Sequence, residues 1–86
     1  MEDLVIGKLN DKSALPWSLL LLADPSREVI EKYIQESDVY TVRKNDVTVG
    51  VYVLKNISRD RVELKNIAVD EKYQGQGIGK NLSWIR

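Results

Sequence analysis

The chain contains no cysteine and no histidine. Without thiols there are no disulfide staples, no thiolate nucleophile and no thiolate metal ligand, and without imidazoles a zinc site would rest on carboxylates alone. A bound metal is therefore not expected. Charge of one sign is lacking too: 13 basic side chains balance 13 acidic ones. Bulk electrostatics then favour neither nucleic acid nor an anionic membrane, and any anion site has to be local. Long apolar runs are also absent. The longest, residues 19–23, falls well short of the ~20 residues needed to span a bilayer. The N-terminus has no basic segment leading into an apolar one, and a cytoplasmic location is the expectation. What is present, 43% hydrophobic and 30% charged residues over 86 positions, fits a single domain spanning residues 1–86. That size is near the lower end of what buries a self-sufficient core.

Leu4, Val5 and Ile6, followed by Gly7 and Leu9, suggest a short first strand that Asn10 and Asp11 break,. Residues 13–23 hold a dense run of leucines, no β-branched residue, and Pro16, which suits a first helical turn,. A short buried helix is expected there. Asp24-Pro25 reads as the next helix start, with Asp24 as the cap and Pro25 at the first position, where its missing N–H costs nothing. Val29, Ile30, Tyr33 and Ile34 give that second helix an apolar stripe opposite Arg27, Glu28, Glu31, Lys32 and Gln35,. After Ser37 the period changes to two, with Val39, Thr41 and Arg43 on one face and Tyr40 and Val42 on the other,. Asn45-Asp46 tolerates left-handed backbone and leads into valine-rich residues 47–55, which predicts an antiparallel hairpin. Polar residues 56–60 predict the following turn. In the strand after it, Arg61–Val69, the residues Val62, Leu64 and Ala68 alternate with Glu63, Lys65, Ile67 and Val69,. Residues 77–86 suit a closing helix of about three turns.

Between that strand and that helix runs "VDEKYQGQGIGKNL", residues 69–82, with Gly75, Gly77 and Gly79 inside five positions. A strand, a glycine-rich turn and a helix start together present several backbone N–H groups in one concavity, backed by the positive end of the helix dipole. Phosphate is the natural guest. Glycine allows close approach of an anion to the amides and permits positive φ, and Lys80 adds a positive charge. The same glycines read equally as a tight strand-to-helix connection without a ligand. Two familiar phosphate loops fail on spacing. A nucleoside-triphosphate loop needs glycine five positions before Gly79-Lys80 and a hydroxyl residue after it, where Gln74 and Asn81 stand,. A dinucleotide fingerprint starting at Gly75 needs its third glycine where Lys80 stands,.

Gln74-x-x-Gly77-x-Gly79 resembles the Gln/Arg-x-x-Gly-x-Gly/Ala signature of the GNAT superfamily of acetyl-CoA-dependent N-acetyltransferases. Residues 62–82, "VELKNIAVDEKYQGQGIGKNL", are similar to the family's signature strand, loop and helix throughout. The resemblance implies an α+β fold with a mixed, mostly antiparallel sheet in the order β-α-α-β-β-β-α, incomplete at the C-terminus. It implies transfer of acetyl from acetyl-CoA, as co-substrate, to a primary amine of a small molecule or protein. The amine attacks the thioester directly, with no enzyme nucleophile. Residue by residue, it assigns the coenzyme pyrophosphate to Gln74 and to the backbone amides of Gly75, Gln76, Gly77, Ile78, Gly79 and Lys80. The pantetheine arm goes to the main chain of Ile67, Ala68 and Val69, paired like an added strand. A primary amine must lose a proton before it attacks. Glu63, eleven positions before Gln74, stands where several family members carry a catalytic glutamate, and by alternation it shares the face of Ile67 and Val69. It reads equally as an ordinary solvated strand carboxylate.

Members of the family continue through further strands and a helix. The resemblance therefore implies a fragment or truncated product, or else a second copy or complementing chain that covers the edge of Arg61–Val69, whose backbone groups lie beside apolar Ile67 and Val69. An alternative within the same resemblance is a catalytically inactive half-domain that binds coenzyme A weakly or serves as an assembly module.

Overall fold

The computed structural model describes residues 4–73. Strand β1 (Leu4–Lys8), a single 3-10 turn (Lys12–Ala14), helices α1 (Trp17–Ala23) and α2 (Arg27–Ile34), strands β2 (Asp38–Lys44), β3 (Val47–Ser58) and β4 (Arg61–Val69), and a second 3-10 turn (Glu71–Tyr73) follow in chain order. The four strands form one antiparallel sheet in the spatial order β1-β2-β3-β4. The α+β class and the element order up to β4 are those expected. The expected helix over residues 77–86 lies outside the described residues. Among the described residues no helix is long and apolar enough to cross a membrane.

Prolines and small polar residues decide where the helices begin. The sequence predicts one helix over 13–23, but Leu15 is extended at φ −61°, ψ 137°, because the residue before a proline is kept out of the helical region. The segment therefore divides into the 3-10 turn, capped by the Asp11 carboxylate accepting from the Ser13 amide at 2.9 Å, and α1 starting after Pro16. The second start also differs from expectation. Asp24 does not cap α2. Its carboxylate accepts from the Ser26 amide at 3.2 Å, and the Ser26 hydroxyl accepts from the Val29 amide at 3.3 Å, so the cap stands two residues later. The other end of α2 receives the Lys12 ammonium, which donates to the carbonyls of Gln35 and Ser37 at 3.0 and 2.7 Å. A cation there complements the negative end of the helix dipole.

The β2–β3 turn matches its sequence. Asn45 and Asp46 both adopt positive φ, 52° and 66°, the backbone that lets a two-residue turn follow the twist of its strands. The next turn is shorter than expected. Asn56 pairs with Val62 and Ser58 with Arg61, so β3 takes in residues read as a turn and only Arg59-Asp60 remains between the strands. A register shift between Asn56 and Ser58 accommodates the polar end of the hairpin.

Both helices lie on one face of the sheet. Leu20 from α1, Ile30 and Ile34 from α2, and Val39, Val51 and Val53 from the central strands are buried there together. The opposite face is apolar as well, around buried Val42, Val49 and Tyr52, with the rings of Tyr40 and Tyr52 stacked 4.9 Å apart. Strand β3 thus carries an unbroken buried run from Val49 to Val53, the pattern of a strand covered on both sides rather than on one.

Candidate active site

β4 is the outermost strand of the described sheet on the side away from β1. Its ladder with β3 is interrupted in the middle: Val53 faces Asn66 and Leu54 faces Leu64, leaving Lys65 as an extra residue. A bulge of this kind reverses the alternation of side chains beyond it. Leu64 joins Ile67 and Val69 on the face away from the helices, whereas Ala68 packs with α1 and α2. Glu63 consequently does not share a face with Ile67 and Val69, as strict alternation implied. It lies on the helix-bearing side. There the Lys65 ammonium stands 2.6 Å from its carboxylate and 5.6 Å from the centre of the Tyr33 ring of α2. The hydrogen bond from Lys65, its charge, and the nearby Lys55 and Arg61 hold the exposed Glu63 carboxyl below its usual value.

A cleft separates α1 from β4. One part, about 170 Å³, is lined by Leu22 and Ala23 of the helix and by Ile67, Ala68 and Val69 of the strand. A second part, about 300 Å³, is lined by Ser18, Leu19 and Leu22 and by Asp70, Glu71 and Lys72. Leu22 borders both, so the two parts adjoin along α1 and together run from Ile67 to Lys72. Hydrogen bonds hold residues 70–73 in place just beyond the strand. The Asp70 amide donates to the Val49 carbonyl at 2.8 Å, the Tyr73 amide to the Asp70 carbonyl at 2.8 Å, and the Lys72 amide to the Asp70 carboxylate at 2.9 Å. Gly50 lets β3 approach β4 closely, since a Cβ there would lie 3.3 Å from the Ala68 carbonyl oxygen and 3.5 Å from Val42 Cβ. An apolar trough beside the main chain of an edge strand suits an extended ligand with amides along its length.

Of the residues singled out from sequence, Ile67, Ala68 and Val69 meet at this cleft. Glu63 is on the same side of the sheet as α1 but lines neither part of the cleft. Gln74, Gly75, Gln76, Gly77, Ile78, Gly79 and Lys80 lie outside the described residues. Ala23, Gly50 and Asn66 were not anticipated. Asn66 did carry a signal: alternation sets its amide on the face of Leu64 and Ala68, where a polar group must find partners inside the protein.

Comparison with known proteins gives a consistent result. A family model described as an acetyltransferase (GNAT) domain matches residues 35–83, more than half of the chain. An uncharacterized N-acetyltransferase, YvbK, of Bacillus subtilis (strain 168) is 44% identical over 66 residues, which cover 77% of this chain and 43% of the relative. The crystal structure of a GNAT family acetyltransferase from Elizabethkingia anophelis with acetyl-CoA bound superposes with a TM-score of 0.89 at 40% identity, covering 95% of this chain and 54% of that one. An IAA acetyltransferase from Bacillus cereus ATCC 14579 superposes with a TM-score of 0.86 at 45% identity, covering 93% and 53%. The chain thus spans about half the length of the proteins it matches. With strand order, sequence and superposed backbone in agreement, the chain belongs to the GNAT acetyltransferase family.

Proposed function

We propose that the protein is an N-acetyltransferase that moves acetyl from acetyl-CoA to the primary amine of a small molecule or protein. The observation that carries this reading is the cleft between α1 and the outermost strand, with Ile67, Ala68 and Val69 along one wall. In it the pantetheine arm pairs with the main chain of those three residues, and the apolar side chains of Leu22 and Ala23 exclude water from the thioester end. Gln74, Gly75, Gln76, Gly77, Ile78, Gly79 and Lys80 hold the pyrophosphate. A relative with 40% identity and acetyl-CoA bound supports the choice of co-substrate.

The amine nitrogen attacks the thioester carbonyl carbon, a C–N bond forms, the C–S bond breaks, and the coenzyme leaves as a thiolate that takes up a proton. The proton lost by the amine goes to Glu63 through water. Its depressed pKa keeps Glu63 ionised at pH 7 and also makes it a weak base, so it works as a relay to solvent more than as a proton store. The first half of β4, with Val62 exposed at 57%, is where a second copy or complementing chain pairs in the same reading. Sedimentation over a range of concentrations tests that contact, and a single 9.8 kDa species throughout would remove it.

Calorimetric titration with coenzyme A tests the cofactor assignment. Saturable binding that Gly77→Glu abolishes supports it, and absence of binding to the unaltered chain overturns it. Thiol release from acetyl-CoA with a panel of amines tests the reaction. Glu63→Gln is expected to lower kcat by about 10²-fold or more, with the affinity for coenzyme A unchanged.

A further inference from the structure

Asn66 lies in β4 between the bulge residue Lys65 and the three cleft residues, and it is 4% exposed. Its Nδ2 donates to the backbone carbonyl of Leu20 in α1 at 3.2 Å and to the hydroxyl of Tyr33 in α2 at 3.1 Å. Both amide hydrogens are thus used, each on a different helix. An amide in this apolar setting carries a desolvation cost that a hydrocarbon side chain of similar size avoids, so its contribution lies in what it connects.

The connection falls at one end of the cleft. The Leu20 carbonyl also accepts from the Asp24 amide at 3.2 Å, the bond that closes the last turn of α1. One carbonyl therefore joins the end of α1 to β4. Leu22 and Ala23 follow Leu20 along one wall, and Ile67 follows Asn66 along the other. The α1 helix has only seven residues and no side-chain cap at its start, so the Asn66 bond adds a directional tie to the apolar packing of Leu19 and Leu20 with Ala68.

We infer that Asn66 is a positioning residue that sets the width of the cleft, by tying the last turn of α1 and the ring of Tyr33 to the backbone just beyond the bulge. Its consequence for coenzyme binding rests on the acetyltransferase reading. The tether itself is a property of the chain without ligand, and the two can fail separately.

Hydrogen–deuterium exchange on the 86-residue chain decides the tether. Asn66→Ala is expected to speed exchange at residues 20–24 and 66–69 about tenfold more than in the hairpin at residues 42–48, the mark of local rather than global opening. A rise of equal size everywhere, or none at 20–24, overturns the inference. If Asn66→Ala does not fold, Tyr33→Phe removes one of the two bonds and keeps the ring, and the same comparison of segments decides. Calorimetry then reads the consequence: the Kd for coenzyme A is expected to rise at least about tenfold in Asn66→Ala, and an unchanged Kd overturns the role in positioning. If the unaltered chain binds no coenzyme A, the acetyltransferase reading fails while the exchange pattern still decides the tether.

Discussion

Glu63 illustrates how far a single neighbour sets a side chain's chemistry. Its carboxylate is exposed, yet the Lys65 ammonium 2.6 Å away lowers its pKa. A carboxyl whose pKa is depressed in the folded state adds stability above its unfolded value and loses it as pH falls through the folded value. The stabilisation is thus present at neutral pH, is lost only in acid, and weakens with salt. Lys65→Gln is expected to raise the titration midpoint of Glu63, read by carbon-detected NMR of its side chain, and an unmoved midpoint would refute the assigned cause. Gly50 makes the complementary point about volume. A methyl group there presses on the Ala68 carbonyl at 3.3 Å, and neither neighbouring strand can yield freely. Gly50→Ala is expected to cost about 1–3 kcal/mol of stability by denaturant titration, and to weaken coenzyme A binding because the displaced carbonyl belongs to the cleft wall.

Among the elements, the β2–β3 hairpin is the one whose sequence most directly dictates its geometry. Asp46 sits at φ 66° with its side chain fully exposed, so a β-branched residue would meet the left-handed penalty with no packing to offset it. Asp46→Val is expected to destabilise the chain by about 1–2 kcal/mol in a thermal or denaturant melt. That turn was legible because both of its residues tolerate the required backbone. The strand-to-glycine order and the apolar stripe of α2 were legible for similar reasons, since periodicity and composition state them directly. The cap of α2 was not: Asp24, Pro25 and Ser26 offer two self-consistent helix starts, and tertiary context selects the one in which Asp24 also ends α1. The break before α1 follows from Pro16, whose effect on Leu15 is local and readable in hindsight. The bulge at Lys65 has no residue signature at all. It arises from how β3 and β4 are registered, and with it the facing of Glu63 and Leu64 lay beyond any reading of alternation, whereas Asn66, past the bulge, keeps the face of Ala68 that alternation gives it.

At the scale of the molecule, one face of the sheet supports both helices while the other presents Val42, Val49 and Tyr52 with partly covered neighbours. The cleft sits at the border of this arrangement, between the short helix α1 and the outermost strand. A ligand seated there touches both α1 and β4, which pack into the core that carries the sheet, so binding should be felt by the whole fold. Coenzyme A at 100 times its Kd is expected to add about 2.7 kcal/mol of stability, read as a concentration-dependent rise in melting temperature, and a melt insensitive to the ligand would contradict the assigned site. A strand with one bulge behaves like a message with a reading frame. Deleting Lys65 would leave a regular ladder in which Leu64 still faces Leu54 and Asn66 still faces Val53, so Leu64 and Glu63 would keep their present faces. A strand that kept Lys65 in regular register would instead turn both of them over. Residue counts back from Gln74 therefore carry meaning only when the extra residue is counted with them, and two relatives with a glutamate at the same distance can present it on opposite sides of the sheet.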